Sequence, residues 1–136
     1  YHTRMVRYYG GLNHVMPIYV VIFLFFTMAN IGLPGTSSFI GEFLILTGSF
    51  QSNTCVTLIG STSMIIGGCY SLWLFNRVSY GNLKTQYFIS FLDINKLEFL
   101  SFLPLIIGIC LMGFIPFIFL NYLHMSVNNL IELIYF

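Results

Sequence analysis

Charge is what this chain has least of. Of its 136 residues only 7% are Asp, Glu, Lys or Arg, where a soluble domain carries about a quarter, while 57% are hydrophobic and 18% aromatic. The five basic and four acidic side chains nearly cancel, so no field draws in nucleic acid or acidic substrates. Cysteine is sparse: Cys55, Cys69 and Cys110 lie far apart in apolar settings and match neither a zinc nor a redox spacing. They read as inert buried thiols. No two of His2, His14 and His124 have metal-ligand spacing, so no metal role is expected. There is no Gly-rich loop between strand and helix and no nucleophile–base arrangement. No cationic start leads to a small-residue cleavage site, so no removable signal is expected. The first residue, Tyr1, is not Met, which suggests a fragment, a processed product or an unusual start codon. The dominance of Phe, Ile, Leu, Tyr and Asn is what an AT-rich genome encodes and points to an organelle.

What remains is an all-α integral membrane helix bundle. Residues 1–14 form a polar lead carrying His2, Arg4 and Arg7. From Val15 to Phe50 the only ionised residue is Glu42. A continuous helix over those 36 residues would be about 54 Å long, against a hydrocarbon core of about 30 Å. One straight helix is excluded. Pro34 removes a backbone donor and clashes with the carbonyl of Asn30, and Gly32 and Gly35 ease a non-helical backbone. A break is therefore expected at Asn30 to Gly35, with Thr36, Ser37 and Ser38 capping a second half-helix.

The run 55–76 has the length of a span and carries Gly60, Ser63, Gly67 and Ser71 at helical spacing on one face, as a close helix contact would require. Residues 77–98 form a charged loop. A last span covers 99–120, with Pro104 in its first turns and Pro116 bending or ending it near the far end. The tail, 121–136, reads as mixed, with a short interfacial helix as one form it could take. If 15–50 crosses once despite its break, the resulting three spans place Arg4, Arg7, Arg77, Lys84 and Lys96 on one side. The positive-inside tendency favours that arrangement over two separate crossings.

Glu42 then lies near the middle of the membrane, just past the break. Burial disfavours its charge and the positive end of the half-helix favours it. A carboxyl balanced in that way can exchange a proton when a neighbouring charge moves. The hydroxyls of Thr36, Ser37 and Ser38 and the freed carbonyls near Asn30 can hold a file of waters leading to it. No partner cation lies within these spans, so one must come from elsewhere. The residues leave open a blander alternative, a packing kink with Glu42 as a structural hydrogen-bonded acid.

The stretch Leu33-Pro-Gly-Thr-Ser-Ser-Phe-Ile-Gly-Glu-Phe-Leu-Ile-Leu46 with Gly48-Ser-Phe50 resembles the broken twelfth helix of the antiporter-like subunits of proton-pumping NADH:quinone oxidoreductase, respiratory complex I. His2-Thr-Arg4 and Gly10-Gly-Leu12 resemble the loop entering that helix. Tyr70-Ser-Leu72 with Arg77 and Gly81 resembles the end of the thirteenth, and Leu103 to Phe117, with Gly113-Phe-Ile-Pro116, the fourteenth. Relatives in subunits 2 and 5 and in cation/proton antiporters usually carry lysine where this chain has Glu42, so the acid points to the subunit 4 branch.

The resemblance implies three spans, the first one broken, equivalent to the last three helices of an antiporter-like subunit. It implies that Glu42 is the terminal protonatable residue of one proton channel, near its exit. The positive side becomes the mitochondrial matrix or the bacterial cytoplasm, and the location the mitochondrial inner membrane, with the bacterial plasma membrane as alternative. No cofactor is expected in this chain; NADH, FMN, iron-sulfur clusters and ubiquinone belong to other subunits. The family's other relay groups, an acid on the fifth helix and lysines on the seventh and eighth, have no counterpart here. The expected partners are therefore a separate chain carrying the amino-terminal part, neighbouring antiporter-like subunits and the lipid bilayer. The rival readings are a non-pumping structural fragment and a subunit of an antiporter or membrane-bound hydrogenase.

Overall fold

The computed structural model describes residues 5–83 and 92–135. His2, Arg4, Lys84 and the middle of the 77–98 loop lie outside the described residues. Among those described there are five α-helices: α1 (Pro17–Ile31), α2 (Ser37–Ser52), α3 (Thr54–Ser79), α4 (Lys96–Phe114) and α5 (Phe117–Tyr135). Two single 3-10 turns, Val6–Tyr8 and Leu12–His14, precede them.

Helix ends follow local chemistry where the sequence supplies it. Pro17 stands at the first position of α1, where its missing N–H is no loss. Asn53 ends α2 and starts α3, its Oδ1 accepting from the amides of Cys55 at 3.1 Å and Val56 at 3.3 Å. At α4 the Glu98 carboxylate accepts from the Asn95 amide at 3.0 Å. The start of α1 is capped differently. Asp93, from the segment before α4, accepts from the amides of Ile18 at 3.1 Å and Tyr19 at 3.3 Å. A carboxylate there also complements the positive end of the helix.

α3 has 26 residues and runs beside both α1 and α2. Its C-terminal half meets α1, with Phe75 and Phe23 ring centroids 5.5 Å apart, and its N-terminal half flanks α2 through Thr57 and Leu58. The Gly11 amide donates to the Tyr80 carbonyl at 3.1 Å, so α3 ends where α1 begins. Asp93 brings the start of α4 to that same end. α4 then runs along the broken helix, with Phe102 6.0 Å from Phe26. It starts at Lys96, ahead of Phe99, so Pro104 is inside the helix rather than in its first turns. It stops at Phe114, ahead of Leu120, because Pro116 cannot donate to the ladder and a new helix begins immediately after it.

The core is small. Leu12, Val20 and Phe75 are buried, with Tyr9, Tyr19, Phe23, Leu24 and Val78 packed on them. Outside it, large apolar side chains face outward along every helix, Ile45, Ile59 and Leu97 at 71%, 74% and 82% exposure. A water-soluble monomer rarely shows a contiguous apolar patch beyond a few hundred Å². Among the described residues two helices, α3 and α4, are long and apolar enough to cross a bilayer. The chain is a membrane helix bundle.

Candidate functional site

The break between α1 and α2 occupies residues 32–36. Gly32 caps α1 in the left-handed conformation, φ 79° and ψ 43°, and its amide donates to Ala29 at 3.3 Å while that of Leu33 donates to Met28 at 3.2 Å. This is the ordinary close of a helix at glycine, followed two residues later by a proline that cannot continue it. α1 therefore extends past Asn30 to Ile31, slightly beyond the expected start of the break. Gly35, φ 96°, makes the second bend.

Thr36 behaves differently from the sequence expectation. It stands at the N-cap position of α2, but its hydroxyl caps no α2 amide. It donates instead to the Leu33 carbonyl at 2.7 Å, and the Thr36 amide reaches the same oxygen at 3.0 Å. The hydroxyl thus closes the turn around Pro34. Thr36 is buried and Ser37 and Ser38 are partly so.

Glu42 sits in the second turn of α2. Side chains on a helix lean toward its N-terminus, and that lean carries the Glu42 carboxylate back over the break. Its Oε2 lies against Gly32, where a Cβ would collide with it. That oxygen is buried and has no hydrogen-bond partner among the described residues. An orphaned carboxylate oxygen in apolar surroundings is costly, so its position needs an explanation beyond packing.

Glu42 lines a cleft of about 510 Å³ between α2 and α3. Asn30 contributes a polar edge, Ile45 and Leu46 an apolar one, and Gly60, Ser63 and Gly67 form the opposite wall. The small residues singled out on α3 differ in exposure. Ser71 is buried, its hydroxyl donating to the Gly67 carbonyl at 2.8 Å. Gly60, Ser63 and Gly67 border the cleft, and a Cβ at Gly60 would meet nothing within 4 Å. The close approach of α3 to α1 occurs at Gly68, 3.5 Å from the Ile31 Cγ2 to a Cβ built there. Nothing in the spacing singled out Gly68, because a neighbouring glycine satisfies the same pattern.

Two further residues at the break lie on α4. A Cβ on Gly113 would overlap the Gly35 carbonyl oxygen and stand 2.8 Å from the Thr36 carbonyl carbon. The Phe114 ring backs Gly35, its Cζ 3.3 Å from a Cβ built there. At the other end of the bundle the Arg77 guanidinium lies 5.0 Å above the Trp73 ring. Desolvation raises the Asp93 carboxyl, but amide hydrogen bonds from Ile94, Ile18 and Tyr19 outweigh it and hold the group below its ordinary 3.8. Among the described residues no group of three His, Cys, Asp or Glu side chains is placed to hold a metal ion.

An apolar bundle organised around a broken helix, with an acid folded over the break, defines an integral membrane helix bundle with one candidate protonatable site. Residues 1–67 match the family described as NADH:quinone oxidoreductase/Mrp antiporter, transmembrane, and the chain belongs to it. Within that family it is 55% identical to NADH-ubiquinone oxidoreductase chain 4 of Marchantia polymorpha over 96% of its own length. Identity to the protein of the same name from Chondrus crispus is 56% over 98% of the chain. It is 44% to NADH-quinone oxidoreductase subunit M of Rhodobacter capsulatus over 96%. In each case the chain spans about a quarter of the relative, 26%, 27% and 26% respectively.

Proposed function

We propose that this chain supplies the carboxy-terminal part of a proton-translocating membrane-arm subunit of respiratory complex I, with Glu42 as the terminal protonatable group on its route. One observation carries the reading: the Glu42 carboxylate rests over a helix break, one oxygen buried and without a hydrogen-bond partner among the described residues, on the edge of a cleft. A carboxyl in that position can take a proton from one side of the break and release it to the other when a nearby charge changes. Quinone reduction elsewhere in the complex drives those changes, and Asn30 with the turn 32–38 gives water its access.

In this reading α1 and α2 together make one crossing. With 15 and 16 residues, each alone spans only about 23 Å, short of a core of about 30 Å. Arg7, Arg77 and Lys96 then share one end with the start of α1, which fits a matrix-facing side in the mitochondrial inner membrane. α3 and α4 make the second and third crossings. The helices that complete the channel, and the cation that faces Glu42, come from the amino-terminal part of the subunit on a separate chain, docked beside neighbouring antiporter-like subunits. In this reading NADH, FMN, iron-sulfur clusters and ubiquinone belong to other subunits.

Glu42→Gln in the assembled complex tests the assignment. It should lower the number of protons moved per electron while NADH oxidation continues at a reduced rate. Quinone reduction with undiminished pumping would sink it, and a loss of assembly with unchanged stoichiometry in what assembles would identify a structural fragment. Mass spectrometry of the native complex would reveal the complementary segment.

A further inference from the structure

We propose that Gly113 and Phe114 of α4 are positioning residues for Glu42, and that α4 acts as a strut holding the helix break at one fixed opening. The proposal rests on the assignment of Glu42 as the proton carrier, since it says what sets that carboxylate in place. α4 is attached to the broken helix at both of its ends. At its beginning Asp93 accepts from the amides of Ile18 and Tyr19 and so fixes α4 to the first turn of α1. At its end the bare Cα of Gly113 lies on the peptide joining Gly35 to Thr36, so closely that even a methyl group would overlap backbone.

Backbone atoms cannot rotate out of the way as a side chain does. Any residue larger than glycine at 113 must therefore push α4 away or push residues 35–36 toward α2. Residues 35–36 lead directly into Ser37, and Glu42 is carried on the helix that starts there. A displacement of the Gly35–Thr36 peptide moves the whole of α2 relative to Gly32, on which the carboxylate rests. Phe114 supports the same point from the side, its ring against Gly35. The control lies on the same helix: a Cβ on Gly108 would meet nothing within 4 Å.

A hydrophobic carbodiimide, which labels protonated carboxyls in apolar surroundings, reads the position of Glu42 independently of pumping. Membranes containing the assembled complex are treated with dicyclohexylcarbodiimide, and labelling rates at Glu42 and at Glu132 on α5 are compared by peptide mass spectrometry. Gly113→Ala should change the rate at Glu42 several-fold and lower the protons moved per electron, with the rate at Glu132 unchanged. Gly108→Ala should change neither. Phe114→Leu trims the ring without adding bulk, should shift Glu42 labelling in the same way, and decides the matter if Gly113→Ala fails to assemble. Wild-type labelling of Glu42 in the assembled variants would overturn the proposal. Failure of the proton-carrier assignment is seen separately, as full pumping in Glu42→Gln, and leaves the labelling comparison intact.

Discussion

Replacing Gly32 by alanine separates the role of the Glu42 carboxylate from the stability of the fold. At φ 79° and ψ 43°, a left-handed alanine costs about 1–2 kcal/mol. The lower entropy of alanine in the unfolded chain returns about 0.4–1 kcal/mol of this. The second effect is steric: the new Cβ occupies the place of the Glu42 Oε2. Because that oxygen ends a flexible side chain, the clash is relieved by rotating the carboxylate, at about 0.5–1.5 kcal/mol. The net destabilisation is about 0.5–3 kcal/mol, modest beside the displacement of the acid from the break. Proton transfer through a group displaced by about an ångström falls by about tenfold or more. The assay is protons moved per electron in vesicles holding the assembled complex, beside its thermal midpoint in detergent. Gly32→Ala should show a small fall in midpoint and a large fall in stoichiometry. Adding Glu42→Asp, one methylene shorter, should restore part of it. Gly41→Ala, where a Cβ meets nothing within 4 Å, should leave pumping intact. Full pumping in Gly32→Ala would refute the argument that the carboxylate must rest over the break.

Other perturbations address the scaffold. Asp93→Asn removes the charge that caps α1, so amide exchange at Ile18 and Tyr19 should quicken while exchange in α3 stays the same. The folded pKa of Asp93 is lowered, so its contribution is present above the ordinary 3.8 and disappears as pH falls through the lower folded value. Protection of those two amides should therefore hold from pH 8 to 5, within the usual range of titration studies, and weaken only in stronger acid. Phe75→Ala, at a residue 3% exposed with rings of Phe23 and Tyr80 at 5.5 and 5.9 Å, should cost about 3–5 kcal/mol. It should be read as a lower denaturant midpoint in detergent, and an unchanged midpoint would remove Phe75 from the core.

The parts of this structure readable from the sequence are those decided within a few neighbouring residues. The helical class follows from apolar runs too poor in charge for a water-exposed surface. The break follows from Pro34 and two flanking glycines, whose constraints act locally. The rest depends on residues far apart in the chain. Asp93 reaches an amide 75 positions away, and no spacing rule connects them. In the sequence Gly113 figures only within the Gly113-Phe-Ile-Pro116 stretch of the last span; its contact with the Gly35–Thr36 peptide appears only where α4 meets the break. Thr36 has two partners within reach, the α2 amides ahead and the Leu33 carbonyl behind, and the tight turn at Pro34 decides for the second.

The cap on α1 also bears on how the chain is built. A helix normally carries the group that closes its first turn just ahead of it, so it is complete as soon as it enters the bilayer. Here the group belongs to the segment that follows two later helices, α2 and α3. During synthesis α1 enters with its first amides uncovered, and it stays that way until α4 arrives. The latch closes last, so the broken helix reaches its working shape only when the end of the bundle is in place. A ribosome stalled before residue 93 would hold three inserted helices and an unfinished first turn, a state that amide exchange could tell from the completed chain.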